Sequence, residues 1–286
     1  MPLPLCTLRA DNPGPFTGLG TNTYILGQSA KIIVDPGPDH PAHLAAILAQ
    51  VGGHKVEAII VTHAHGDHSA LAPKLSRLTN APVLAFGDAR AGMSAQMHAL
   101  EAEGIAGGEG RDESFAPDVC LHDGQTLTLG GAPIEVIHTP GHMSNHICLG
   151  LGEDLLSGDH VMAWSTSLVS PPDGDMGAYM ASLHKLAARN WRKFHPGHGA
   201  AVQDPAARLS ALIAHRLGRE ASVLAALSKG PATPQALTAS IYTDLAPHLH
   251  AAATRNVLAH LIDLQARAKV ARLGDGPLGS ASFQLR

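Results

Sequence analysis

Three imidazoles and a carboxylate fall within six positions of the segment Val61-Thr62-His63-Ala64-His65-Gly66-Asp67-His68. Imidazole nitrogen and carboxylate oxygen are the donors that borderline Zn²⁺ prefers. Side chains two apart at the end of a strand point the same way, so His63 and His65 can face one ion. A turn at Gly66 then lets Asp67 and His68 face a second ion close by. Three further candidates follow in order, each on a glycine-containing turn after an expected strand. They are His142 in Thr139-Pro140-Gly141-His142, Asp159 in Ser157-Gly158-Asp159, and His198 in His195-Pro196-Gly197-His198-Gly199. The chain holds 19 histidines against 20 lysines and arginines, which raises the chance of accidental spacing. The ordered set of seven therefore carries the inference, more than any single element of it.

Positioning these residues requires strands that end at a common edge. Short strands are expected at 23–26 and 31–35 around a turn at Gly27, then a helix over 41–51 with Leu44, Ile47, Leu48 and Val51 on one face. An apolar strand at 58–62, a helix at 70–78 and a strand at 83–86 complete the first block. The stretch 87–116 is rich in Gly, Ala and Glu, and should hold a helix near 93–102 before a mobile loop. A second block places strands at 119–122, 126–129, 134–138, 147–151 and 154–157, a helix at 176–188 and a strand at 193–195. Two similar blocks of strands with flanking helices predict an α+β fold of four layers, αββα. Beyond 205 the strand signal nearly stops. A long helix over 206–228 ends at Gly230-Pro231, Thr233-Pro234 opens a helix through 241, and a third helix lies within 246–269. A strand at 270–273 followed by Gly274, Gly276 and Gly279 completes a winged-helix-like unit. Two domains are expected, 1–205 and 206–286.

Composition narrows the class. With 45% hydrophobic and 15% charged residues the chain can bury a substantial core and is not disordered. Cys6, Cys120 and Cys148 form no C-x-x-C pair, so neither a disulfide framework nor a thiolate metal site is indicated. Residues 1–16 lack a basic region followed by an apolar one, and no stretch approaches a membrane span, so a cytoplasmic protein that avoids membranes is expected. Charge is uneven: residues 206–286 carry nine basic and four acidic side chains, whereas 1–205 carry 11 and 20. Such a tail either presents solvated helix faces or attracts a polyanion.

The pattern H-x-H-x-D-H, a distant G-H, then G-D, then P-G-H-G resembles the metallo-β-lactamase superfamily over about residues 16–205. That resemblance implies one zinc held by His63, His65 and His142, a second held by Asp67, His68 and His198, and Asp159 bridging the two. Manganese or iron would suit the same donors. The zinc β-lactamases themselves lack a bridging aspartate at this position, which argues against antibiotic hydrolysis. Asn12-Pro13-Gly14-Pro15-Phe16, Asn22-Thr23-Tyr24 and the appended helices are most similar to the β-lactamase-like protein 2 branch. That branch includes endoribonucleases directed at single strands, and related sequences include thioesterases that release polyketides.

Two zinc ions sharing Asp159 and a solvent molecule would bring that water's pKa toward neutrality, making a bridging hydroxide the nucleophile. Asp67 would orient it and accept its proton, with no covalent intermediate. His146 is a candidate for a supporting or leaving-group role. Phe16, Asn22, Tyr24, Ser167 and Tyr179 are candidate supporting or substrate-contacting residues, and the loop 164–175 is expected to line the cleft. His138 and His195 are expected to pack behind the ligand turns. The leading expectation is hydrolysis of a small-molecule ester, thioester or lactone. The alternative is cleavage of single-stranded RNA, against which the tail offers only Tyr242 and Phe283 for base stacking. A non-catalytic nucleic-acid-binding module with a structural metal fits poorly, because structural zinc closes four ligands around one ion. A homodimer is compatible with such a chain.

Overall fold

The computed structural model describes residues 3–105, 110–274 and 276–286. The first half runs β1 (Leu5–Arg9), β2 (Asn22–Leu26), β3 (Ala30–Val34), α1 (Pro41–Val51), β4 (Lys55–Ile60), α2 (Gly66–Ser69), α3 (Ala72–Thr79), β5 (Val83–Ala85), α4 (Ala95–Ala102) and β6 (Val119–Cys120). These six strands form one sheet in sequence order, antiparallel from β1 to β3 and parallel from β3 to β6. The second half contributes β7 (Thr126–Leu129), β8 (Ala132–His138), β9 (Ile147–Leu151), β10 (Asp154–Gly158), α5 (Met176–Ala187) and β11 (Lys193–Pro196). Its five strands are ordered β11-β10-β9-β8-β7, with β10 and β11 parallel.

The two sheets face each other through Leu26, Ile32, Val34 and Ile60 on one side and Ile134, Val136, Ile147 and Leu149 on the other. Strand alternation explains the layering: Ile32 and Val34 point inward, while Ile33 between them packs outward against Ile47 of α1 and Leu75 of α3. On the far side, Ile137, Cys148 and Leu155 pack against Tyr179, Leu183 and Leu186 of α5. The result is the expected αββα sandwich. Each fully buried Ile or Leu in such a core contributes about 1.5–3 kcal/mol.

The chain continues with α6 (Pro205–Leu227), α7 (Pro234–Ile241), α8 (His250–Ala266), β12 (Val270–Leu273) and β13 (Ser282–Leu285), the last two paired as an antiparallel wing. Local chemistry sets the helix starts. Asp204 accepts the Ala207 N–H at 3.0 Å, Thr233 the Ala236 N–H at 3.2 Å, and Asp175 the Ala178 N–H at 3.1 Å. Helix α6 serves two cores. Leu209 and Leu212 pack with α5, whereas Val223 and Leu227 pack with α7, α8 and Met97 of α4.

Several expectations shift. Strands β1 and β13 carry no strong apolar alternation and were not anticipated; both hold their places by edge pairing. The helix expected at 70–78 is α3, with the separate short α2 just before it, and the strand expected at 119–122 pairs over only two residues. The mobile loop expected after α4 includes 106–109, which lie outside the described residues. Among the described residues no helix is long and apolar enough to cross a membrane.

Candidate metal centre

Strand β4 ends at Ile60, so His63 and His65 do not sit on the strand as its alternation implied. They lie in the extended link that leads into α2, and His65 occupies the N-cap of that helix. The link is held from both sides: Thr62 donates its N–H to Asp35 Oδ1 at 2.7 Å, and its carbonyl accepts the Ile147 N–H at 2.8 Å. The Gly66 N–H reaches Gly110 O, and the Asp112 N–H reaches Ala64 O, so residues 110–112 lash the link from outside.

The seven expected residues converge. His63 Nε2 and His142 Nε2 lie 3.1 and 3.0 Å from His65 Nδ1. Asp159 Oδ2 lies 3.9 Å from His63 Nε2 and 3.7 Å from His142 Nε2. On the other side, His68 Nε2 and His198 Nε2 are 3.4 Å apart and stand 3.4 and 3.3 Å from Asp67 Oδ2. Asp159 closes this side as well, Oδ1 standing 3.5 Å from His68 Nε2 and Oδ2 3.2 Å from His198 Nε2. A tetrahedron with zinc–nitrogen bonds of 2.0–2.1 Å has edges of about 3.3 Å, so the imidazole spacings fit a cation at each centre.

The hydrogen bonds behind the rings decide which way the lone pairs point. The Thr62 hydroxyl donates to Asp35 Oδ2 at 2.8 Å, so it accepts from His63 Nδ1 at 3.0 Å. His68 Nδ1 donates to Asp35 Oδ2 at 3.0 Å, His142 Nδ1 to Leu168 O at 2.7 Å, and His198 Nδ1 to Gly20 O at 3.3 Å. Four Nε2 atoms thus turn lone pairs inward, a set that electrostatics disfavours unless a cation or proton lies between them. Asp159 Oδ1 is buried without a hydrogen-bond partner among the described residues. The residues fit divalent metal.

Charge within the cluster follows the same division. Burial holds His63 well below its ordinary pKa, helped by His68 and His65, and brings His65 down to about 3. Both are neutral, as ligands must be. Burial opposes the charged form of His68, but Asp67, Asp159 and Asp35 outweigh it and raise its pKa well above normal. For His198 burial is likewise outweighed, chiefly by Asp159, and the pKa is pushed up to about 9. The two carboxylates answer in kind. Burial alone would raise Asp159 and Asp67, but His198 and His68 hold both well below the usual range.

The remaining candidates divide. His146 offers no atom to a leaving group: its Nε2 accepts the Asp159 N–H at 3.1 Å and its Nδ1 lies 2.9 Å from the Thr139 hydroxyl. Tyr24 and Asn22 do not reach the cleft, because Tyr24 OH donates to Pro196 O at 2.6 Å and the Asn22 amide donates to Pro196 O and Gly199 O. Both brace the turn that carries His198. The Ser167 hydroxyl donates to Asp159 O at 2.5 Å, and Tyr179 OH donates to His160 O at 3.1 Å, so these too lie behind the centre. Phe16 remains exposed. The loop 164–175 lines the cleft less than expected, since Ser167, Ser170 and Asp173 are buried while Trp164 is half-exposed. His138 stacks on Phe86 and His195 packs edge-on against Tyr24, as expected of residues behind the turns.

Sequence reading missed Asp35, Thr21 and Arg111. The Thr21 hydroxyl donates to Asp67 Oδ2 at 2.9 Å, and Arg111 pairs with Asp173 and Glu101. Asp35 was legible as an acid at the end of an apolar strand before Pro36-Gly37; the other two carry no local signal. Glycine matters most at Gly197, where a Cβ would stand 2.3 Å from Asp159 Oδ1 and 2.7 Å from His68 Cε1.

Comparison with known proteins places this geometry. The profile of the metallo-β-lactamase superfamily matches residues 16–198, and that of the β-lactamase-associated winged helix domain matches 233–280. The chain belongs to the metallo-β-lactamase superfamily. It carries the winged helix domain associated with that fold at its C-terminal side. It is 33% identical over 223 residues to the atrochrysone carboxyl ACP thioesterase of Cryptosporiopsis sp., covering 76% of this chain but only 61% of that protein. It is 32% identical over 254 residues to a β-lactamase-like protein 2 homologue of Caenorhabditis elegans, covering 86% of this chain and 79% of the relative. A metallo-β-lactamase family protein from Thermus thermophilus shares the fold with a TM-score of 0.79 at 24% identity, covering 99% of this chain and 98% of that one.

Proposed function

We propose that residues 1–205 form a dinuclear zinc hydrolase that cleaves an ester-type bond in a small molecule, an acyl thioester or a lactone. The observation that carries the dinuclear reading is Asp159, whose two oxygens face the two imidazole sets at 3.2–3.9 Å. A pair of divalent ions, when bound, would acidify a water molecule and polarise the bond to be broken. His63, His65 and His142 would hold one ion; Asp67, His68 and His198 the other. Manganese or iron would suit the same nitrogen and oxygen donors. Asp67, steered by the Thr21 hydroxyl, directs its carboxylate at the reacting water and takes its proton. Asp35 and Leu168 O keep the ligand rings in register without touching substrate.

The small-molecule reading is supported by the rim of the centre. Trp164 lies against Gly199, next to His198, and against Gly18, with Phe16 and Leu19 exposed on the same loop as Gly18. These side chains offer apolar surface to an acyl or aromatic group. The single-stranded RNA reading draws on the basic excess of residues 206–286, but part of that charge is engaged by other groups of the protein. Arg208 donates to Met162 O and Ser165 O, Arg216 is buried, and Arg267 pairs with Glu220 and Asp263. The thioesterase relative lends the leading reading further support.

The test is a panel on purified protein of defined zinc content: an acyl thioester, a lactone, a p-nitrophenyl phosphodiester and short single-stranded RNA. Thioester or lactone turnover that is insensitive to salt is expected. RNA cleavage that falls steeply with salt, without thioester turnover, would replace this reading by the nuclease.

A further inference from the structure

Residues 160–175 connect β10 to α5 without forming a helix or strand, yet they supply the carbonyl of Leu168 that orients His142. A carbonyl on an irregular segment holds a 2.7 Å hydrogen bond only if the peptides beside it are fixed. Here the fixing groups come from the C-terminal helices. Arg216 of α6 donates to Ser167 O, the carbonyl just before Leu168. Asn256 of α8 accepts the Val169 N–H at 3.1 Å, just after it, and also accepts from Arg216 at 3.3 Å. Both peptides that flank Leu168 are thereby gripped by one bonded pair of side chains. Outer holds lie at each end: Arg208 on Met162 O and Ser165 O, and Arg255 on the Ser170 hydroxyl at 3.1 Å.

The energetics favour a positional purpose. Arg216 is only 2% exposed, with its guanidinium 5.1 Å from the Tyr179 ring centroid. Burying a guanidinium costs several kcal/mol, and its planar fork suits fixed, directional bonds to carbonyls. An apolar side chain would pack α6 against α5 without that cost. The opposite imidazole set has other supports, since Asp35 holds His68 and Gly20 O holds His198.

We propose that the C-terminal helices position the His142 imidazole, with Arg216 and Asn256 as the positioning residues. This rests on the dinuclear reading of the centre. The C-terminal unit then acts on the half of the centre formed by His63, His65 and His142 and leaves the other half to the first sheet.

The experiment is a zinc titration of the full chain against a chromophoric chelator, with melting of each metal-free protein measured in parallel. Wild type should take up two ions. Asn256→Ala and Arg216→Met should keep one at wild-type affinity and bind the other about 10–100-fold more weakly, the range for loss of a partner behind a ligand. Asn256→Asp, which retains the acceptor for Val169 N–H, should restore the second ion. Two ions at wild-type affinity in folded Asn256→Ala would overturn the proposal. So would equal weakening of both ions with a matching fall in the metal-free melting temperature, because that marks general loosening. Should Arg216→Met fail to fold, the two Asn256 variants decide alone. A wild type that takes fewer than two ions would instead overturn the dinuclear reading, and this proposal with it.

Discussion

Asp35 Oδ2 accepts from His68 Nδ1 at 3.0 Å and from the Thr62 hydroxyl at 2.8 Å, and Thr62 in turn accepts from His63. One buried carboxylate therefore sets the orientation of an imidazole on each side of the centre. Asp35 does this from a left-handed backbone, φ 51°, which aspartate and asparagine tolerate better than most residues. Asp35→Asn keeps the shape and the backbone preference but replaces an acceptor with an amide that can donate. Zinc affinity should fall about 10–100-fold, measured by chelator competition. Unchanged affinity would show that the Asp35 charge is not what orients the rings.

Asp67→Asn should reduce turnover by about 100-fold or more, the scale of a positioned proton acceptor. The circular dichroism spectrum should be unchanged, because Asp67 is partly exposed and its loss leaves α2 capped by the same backbone bonds. Activity at the wild-type level in this variant would remove Asp67 from the chemistry.

Metal uptake should release protons. In the metal-free protein His198 titrates at about 9 and His68 is raised as well, so at pH 7 both rings carry a proton that a cation must displace. Apparent affinity should therefore rise with pH, about tenfold per unit for each displaced proton, with the contribution of His198 levelling off above about 9. Calorimetric titration in buffers of different ionisation heat reads the proton count directly. A count of zero at pH 7 would contradict the charge arrangement described for this cluster.

Two buried histidines outside the ligand set should make the fold acid-sensitive. Burial lowers His160 and His260 to about 3, with His142 and Arg216 respectively as the next causes. Once unfolded, each would take up a proton near 6.5, so the unfolded chain binds more protons between pH 6.5 and 3 and stability falls across that window. The His260 ring nitrogens have no hydrogen-bond partner among the described residues, so His260→Leu sacrifices no bond. Its melting temperature should fall less steeply with acid than that of wild type. Parallel curves for the two proteins would refute the assignment.

Trp164 tests the apolar rim. Trp164→Ala should raise KM for a long-chain acyl thioester by about tenfold, the worth of one buried aromatic contact, and change KM for an acetyl thioester little. Zinc content should stay at the wild-type level, since the indole packs against Gly18 and Gly199 and is not one of the seven ligands. Equal effects on both substrates would place the acyl chain elsewhere.

The ligand residues were readable because metal chemistry restricts both residue type and the glycine turns that let backbones converge. Layering was readable because Ile32, Ile33 and Val34 alternate between two apolar environments. The supports behind the ligands were not. Leu168 acts through its carbonyl, which every residue has, and Arg216 and Asn256 lie 48 and 88 positions further on. Asn22 and Tyr24 look like cleft residues in one dimension, because they sit beside the first loop. In three dimensions their polar atoms are consumed by Pro196 O. The basic excess beyond residue 205 was not divisible in sequence for the same reason: Arg208 and Arg216, which bind carbonyls of the loop after β10, look like Arg267 and Arg286, which are exposed.

The centre draws its donors from links after β4, β8, β10 and β11, which belong to two different sheets. A growing polypeptide on the ribosome therefore cannot assemble the pair of sites until His198 has emerged. If α6 and α8 also steady His142, completion waits until α8 has been made. Loading of the complete pair of sites then follows synthesis of both sheets and cannot precede it.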